Sequence, residues 1–200
     1  RNTVFADIPY KTLLKIFNRL EEEGIVKTVS KGVYSIGKKK FDERKILSDY
    51  TSNGKGMVVG YALFNKIGLT LYQDERIVIY TNVIATKQKS IGNLLLKRVD
   101  LIFTDEIIDL VSLLEILDIG FGIRGGDYLT YRNIVELLAK TYTDDNFKQV
   151  IGDIRYKYST IVKLNELLNR LNINNLCMDL YQQLIYQREK MFMRNHYIQK

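Results

Sequence analysis

The succession of hydrophobic periods along these 200 residues predicts an α+β fold. Three observations carry that expectation. A helical period over residues 10–23 gives way at Gly24 to a period of two, a further β run follows at residues 77–81, and from residue 106 onward the apolar stripes recur at helical spacing. One proline, thirteen glycines and 46% hydrophobic residues leave ample material for a core and little for a long linker, so the parts should abut.

The first forty residues are read as a unit. Leu13, Leu14, Phe17 and Leu20, with Ile16 on the same flank, form one apolar stripe, and the opposite face carries Lys11, Thr12, Lys15, Asn18, Arg19 and Glu22. Gly24 ends the helix, and Pro9 sets its start behind a shorter element over residues 4–8, a helix-turn-helix pattern. Residues 25–29 and 33–36 alternate as strands around Ser30-Lys31-Gly32, giving a hairpin with a basic tip, which Lys38, Lys39 and Lys40 extend. A helix running directly into a lysine-tipped hairpin is the winged-helix arrangement, in which the helix enters a major groove and the hairpin lies along phosphate. The groove-contact candidates are Tyr10, Lys11, Thr12, Lys15 and Arg19, with Lys27 and Lys31 on phosphate.

Charge supports that division into a domain over residues 1–40 and a body over residues 41–200. The head has nine Lys/Arg against four Asp/Glu, residues 41–119 have nine against eleven, and residues 120–200 have twelve against eight. A basic head on a near-neutral body fits a polyanion-binding module joined to a separate partner domain.

The body begins with a helix from about residue 41 to 50, a loop through Thr51-Ser52-Asn53-Gly54-Lys55-Gly56 and a short extended piece, Met57-Val58-Val59. Residues 60–70 read as a short helix stopped by Gly68. Residues 77–82, 89–95 and 99–103 read as strands of a small sheet, and residues 106–117 as a core helix with Ile107, Leu110, Val111, Leu114 and Leu117 inward. Four helices are expected beyond it, over residues 130–142, 147–158, 161–171 and 176–193. Leu164, Leu167, Leu168 and Leu171 line one, and Leu180, Leu184, Ile185 and Met191 the last, whose face could close the bundle or meet a partner.

Several candidate chemistries resolve into structural roles. Gly120-Phe121-Gly122-Ile123-Arg124-Gly125 matches G-x-G-x-x-G, but a helical pattern precedes it where a dinucleotide fingerprint needs a strand, so a linker is expected. Gly125-Gly126-Asp127 reads as a hinge before a helix capped at Thr130. Asp105, Glu106 and Asp109 fit a helix N-terminus better than a metal or acid–base site, and Asp144-Asp145 reads as a helix cap. Cys177 reads as a small core residue, and with His196 as the one histidine there is no zinc set, no disulfide and no nucleophile–base pair. No catalytic residue, metal or cofactor is therefore expected. No segment reaches the roughly 18 consecutive apolar residues of a membrane span, and cysteine usage fits a reducing, cytoplasmic setting.

Asn18-Arg19-Leu20-Glu21-Glu22-Glu23-Gly24-Ile25-Val26 followed by Lys31-Gly32-Val33-Tyr34, then Ala62-Leu63-Phe64-Asn65-Lys66-Ile67-Gly68-Leu69-Thr70 ahead of a strand ending in Thr81-Asn82, resembles the AbiEi-type antitoxins. The resemblance spans roughly residues 4–171. It implies a bacterial regulator that represses its own operon by binding double-stranded operator DNA, and whose body neutralises a nucleotidyltransferase-like toxin. The chain opens on Arg1, and the first helix of a three-helix winged domain has no counterpart, so residues upstream are expected. The competing expectation is a winged-helix regulator whose body senses a ligand or dimerises without a toxin. An enzyme acting on nucleic acid is disfavoured because no catalytic set accompanies the head.

Overall fold

The computed structural model describes residues 5, 7–30, 32–37 and 42–197, the side chains of Ser30 and of residues 194–197 excepted. It is an α+β structure with eight α-helices, a two-stranded hairpin and a four-stranded sheet among these residues. The expected basic positions Lys31 and Lys38 to Lys40, and the side chain of His196, lie outside the described residues.

Helix α1 spans Tyr10–Glu22, and its first backbone hydrogen bond runs from Leu13 N–H to Pro9 O, a proline-led start that loses no donor. Before it, Ile8 N–H donates to Phe5 O in a single turn, so the described part of residues 4–8 is a turn rather than a helix. Strands β1 (Val26–Ser30) and β2 (Val33–Ile36) pair antiparallel, with a register shift between Thr28 and Ser30.

Helix α2 (Glu43–Thr51) is capped by Asp42 and leads into β3 (Gly56–Val59), then α3 (Tyr61–Lys66) and β4 (Ile77–Thr81). The expected strand over 89–95 is two strands, β5 (Gln88–Ile91) and β6 (Leu94–Arg98), folded back at Gly92-Asn93 with Gly92 at φ +59°. The strand expected over 99–103 is absent. Val99, Leu101 and Phe103 are buried while Asp100 and Ile102 are exposed, so the alternation is real, but it records one-sided burial of an extended segment rather than a ladder. The sheet order is β3-β4-β6-β5, with β4 and β6 parallel and the outer pairs antiparallel.

The sheet separates two cores. Met57, Val59, Val78 and Tyr80 face the larger one, built around α4 (Asp105–Ile119). That helix is buried nearly all round, Leu113 and Ile116 joining the five positions the periodicity picks out. The helices α5 (Tyr128–Ala139), α6 (Asp144–Asp153), α7 (Tyr158–Arg170) and α8 (Cys177–Tyr197) close over it. Ile79, Ile91, Leu94 and Leu96 face the smaller core, covered by Ile46, Leu47 and Tyr50 of α2 and by Val29 and Val33 of the hairpin.

Two caps differ from expectation. The carboxylate of Asp127, not Thr130, caps α5 and accepts from Thr130 N–H at 2.9 Å, because the helix begins at Tyr128. Thr143 caps α6, which places Asp144 and Asp145 inside the first turn, where the helix dipole favours them. Asp105 and Glu106 occupy the same place in α4 behind Thr104. The glycine-rich segment follows α4 directly as a single 3-10 turn, Gly120–Gly122, with no strand ahead of it. Cys177 is fully buried, and burial pushes its thiol up to about 11.

Candidate nucleic-acid interface

The interface candidates are built on α1 and the hairpin, and three contacts hold those two elements together. The Glu21 carboxylate accepts from both the backbone N–H and the hydroxyl of Thr28, each at 2.9 Å. These bonds, the backbone one first, hold the Glu21 carboxyl below its ordinary range. Phe17 stacks on Tyr34 with ring centroids 4.2 Å apart and 13° between planes. Phe5 meets Phe17 edge-on, with ring centroids 6.1 Å apart.

With its apolar side engaged in this way, α1 presents its polar side to solvent. Lys11, Thr12, Lys15 and Arg19 are all exposed. Lys11, Lys15 and Arg19 recur every fourth residue, which sets successive cations about 6 Å apart along the axis. Lys11 and Lys15 form no ion pair among the described residues. Arg19 lies 3.6 Å from Glu23 in an exposed pair, weak enough to yield to a phosphate.

Tyr10 stands apart from that row. It shares the flank of Leu13, Leu14 and Phe17 and lines a groove of about 960 Å³ between α1 and the body, opposite Val83, Ile84 and Lys89. Lys27 is exposed on β1 and pairs with Ser35, so the alternation of the ladder puts it on the hairpin face opposite Thr28 and Tyr34. Val33 belongs to that same face and packs against the smaller core. The fold thus gathers Lys11, Lys15 and Arg19 in one row, turns Tyr10 toward the groove, and sets Lys27 on the other side of the hairpin.

Residues the sequence reading passed over fix this geometry. Glu21 looks like one of three equivalent acids in Glu21-Glu22-Glu23, and only the return of β1 alongside α1 singles it out. Lys89 is partly desolvated at the groove wall, which lowers its ammonium from the ordinary range. Deeper in the body, Glu115 accepts from the hydroxyls of Tyr80 and Tyr156, each at 3.2 Å, and burial raises its carboxyl above the ordinary value despite those bonds. This triad lies in the larger core, where Tyr80 and Tyr156 pack.

No family model and no curated protein matches the sequence.

Proposed function

We propose that this protein is a winged-helix DNA-binding antitoxin, which represses its own operon through α1 and the hairpin and neutralises a nucleotidyltransferase-like toxin through its body. The observation that carries the reading is the solvent-facing row Lys11, Lys15 and Arg19 on a helix braced by the hairpin behind it. Such a row would suit the phosphates flanking a major groove, with Thr12 at the helix start as the candidate for a base edge. The partner half of the reading rests on the resemblance in Ala62 to Thr70 and Thr81-Asn82. No helix among the described residues is long and apolar enough to cross a membrane, and a cytoplasmic, non-enzymatic role accords with the reading.

The test is a gel shift with the chain's own upstream promoter DNA. Lys15→Glu combined with Arg19→Glu should abolish the shift while the thermal melt is retained, since both side chains project into solvent. Unchanged affinity would reject the DNA-binding assignment.

A second reading, a regulator whose body senses a small ligand, is favoured by one feature, the apolar groove between α1 and the body. An occupant there would touch the helix and the sheet together and so bias their relative position. The two readings part at the neighbouring gene: the first requires a nucleotidyltransferase-like product that binds this protein, and the second does not.

A further inference from the structure

The groove between α1 and the body has apolar walls and a single charge. On the helix side Tyr10 and Leu14 are 48% and 36% exposed, on the body side Val83 is 47% exposed, and the buried Leu13 and Ile84 complete the apolar lining. Apolar surface held open to water on two facing elements marks a binding groove, and about 960 Å³ is the size of one that takes a small organic molecule.

Lys89 supplies the charge. It pairs with Leu96 across β5 and β6, and Leu96 and Ile91 both belong to the smaller core, so the lysine stands on the inward face of the edge strand β5. Its ammonium makes no ion pair and no side-chain hydrogen bond among the described residues, and it is the one charged group among the described residues that line the groove. Two acids stand near the walls without lining them. Both oxygens of Glu21 are bonded to Thr28, and Asp49 acts on Tyr50. Neither acts on Lys89, whose ammonium is lowered by burial alone.

That charge selects the occupant. A neutral apolar molecule would cover the ammonium and leave it unpaired, which is unfavourable, and a cation would be repelled. A nucleic-acid strand or polyphosphate needs several cations, and these walls offer one. An apolar body carrying one negative head satisfies both the walls and the lysine.

We infer that the groove binds an amphipathic organic monoanion, a carboxylate with an alkyl or aryl body, whose head meets Lys89 and whose body lies between α1 and Val83. The inference rests on the ligand-sensing reading of the groove above and is independent of DNA binding, which its test does not use. Octanoate is the probe, titrated calorimetrically into the full chain at neutral pH beside octanol and octylammonium. Octanoate should saturate a single site and bind at least about tenfold more tightly than octanol, with octylammonium the weakest. Lys89→Met keeps the apolar stem; it should weaken octanoate about tenfold and leave octanol unchanged or tighter. Val83→Asp, at an exposed position, should abolish octanoate binding while the thermal melt is retained. Equal affinity for octanoate and octanol, or octanoate binding that either variant leaves within about twofold, overturns the monoanion site but not the ligand-sensing reading. Failure of all three probes to bind, the outcome if a protein segment fills the groove, overturns both.

Discussion

Thr81 and Asn82 show how much one side chain can hold at the end of a strand. The Thr81 hydroxyl is buried, 3.1 Å from Tyr50 O and 2.9 Å from Lys55 O, while the Asn82 amide donates to Gly54 O at 3.2 Å and Leu101 O at 2.7 Å. Together they tie α2, the loop after it and the extended segment after β6 to the sheet. Asn82→Ala should destabilise the protein by about 1–2 kcal/mol, read from urea melts, because two part-buried carbonyls lose their donor. Glu115 works through its charge state. A carboxyl whose folded value is raised contributes stability below the unfolded value, near 4.3, and that contribution is lost as pH rises through the folded value. Glu115→Gln keeps an acceptor for the two tyrosines and cannot ionise. The variant should therefore gain melting temperature relative to the wild type as pH rises from 4 to 7, and parallel pH profiles would refute the assignment. Both roles are long-range and invisible in the local pattern, although Thr81-Asn82 was legible as a motif.

Among the elements, β3 leaves no room for a side chain at Gly56. A Cβ on Gly56 would collide with the backbone oxygens of Tyr80 and Tyr50, neither of which can swing away. Gly56→Ala should cost about 1–3 kcal/mol and lower the denaturation midpoint. The brace between α1 and β1 is milder. Glu21→Gln keeps an acceptor for Thr28 but removes the charge. Because the folded Glu21 carboxyl is held low, its contribution is present above the unfolded value and fades as acid protonates it. The wild type should thus lose its advantage over Glu21→Gln below about pH 4. Helix existence and type were readable for the described α-helices from apolar residues at helical spacing, although α2 fully buries none of its residues. Errors fell at residues 4–8, which are a turn where described, at 89–95, which is two strands, at the caps of α5 and α6, at 147–158, where α6 ends at Asp153, and at 99–103, where burial and hydrogen-bond pairing part company.

On the scale of the whole molecule, the hairpin is the joint. One of its faces packs on α1 and the other, through Val29 and Val33, enters the smaller core with Ile79 and Leu96. Head and body should therefore unfold in one calorimetric transition, and Val33→Asp should split it into two by placing a charge in that seam. Two resolved transitions in the wild type would contradict the shared core. The same joint bears on the proposed DNA contact, since a helix fixed to the body can be repositioned by whatever binds the body or fills the groove.

The sequence by itself determined the α+β class, the run of helices from α1 to α8, most of the buried stripes and the basic row on α1. Each of these is written in a period of two or about 3.6 residues, a property of the local chain. Tertiary structure decided the sheet order, which acid of Glu21-Glu22-Glu23 braces the hairpin, and that Tyr10 faces a groove while Lys11 faces water. Those depend on contacts between segments far apart in the chain, and no local period encodes which distant surface a side chain will find.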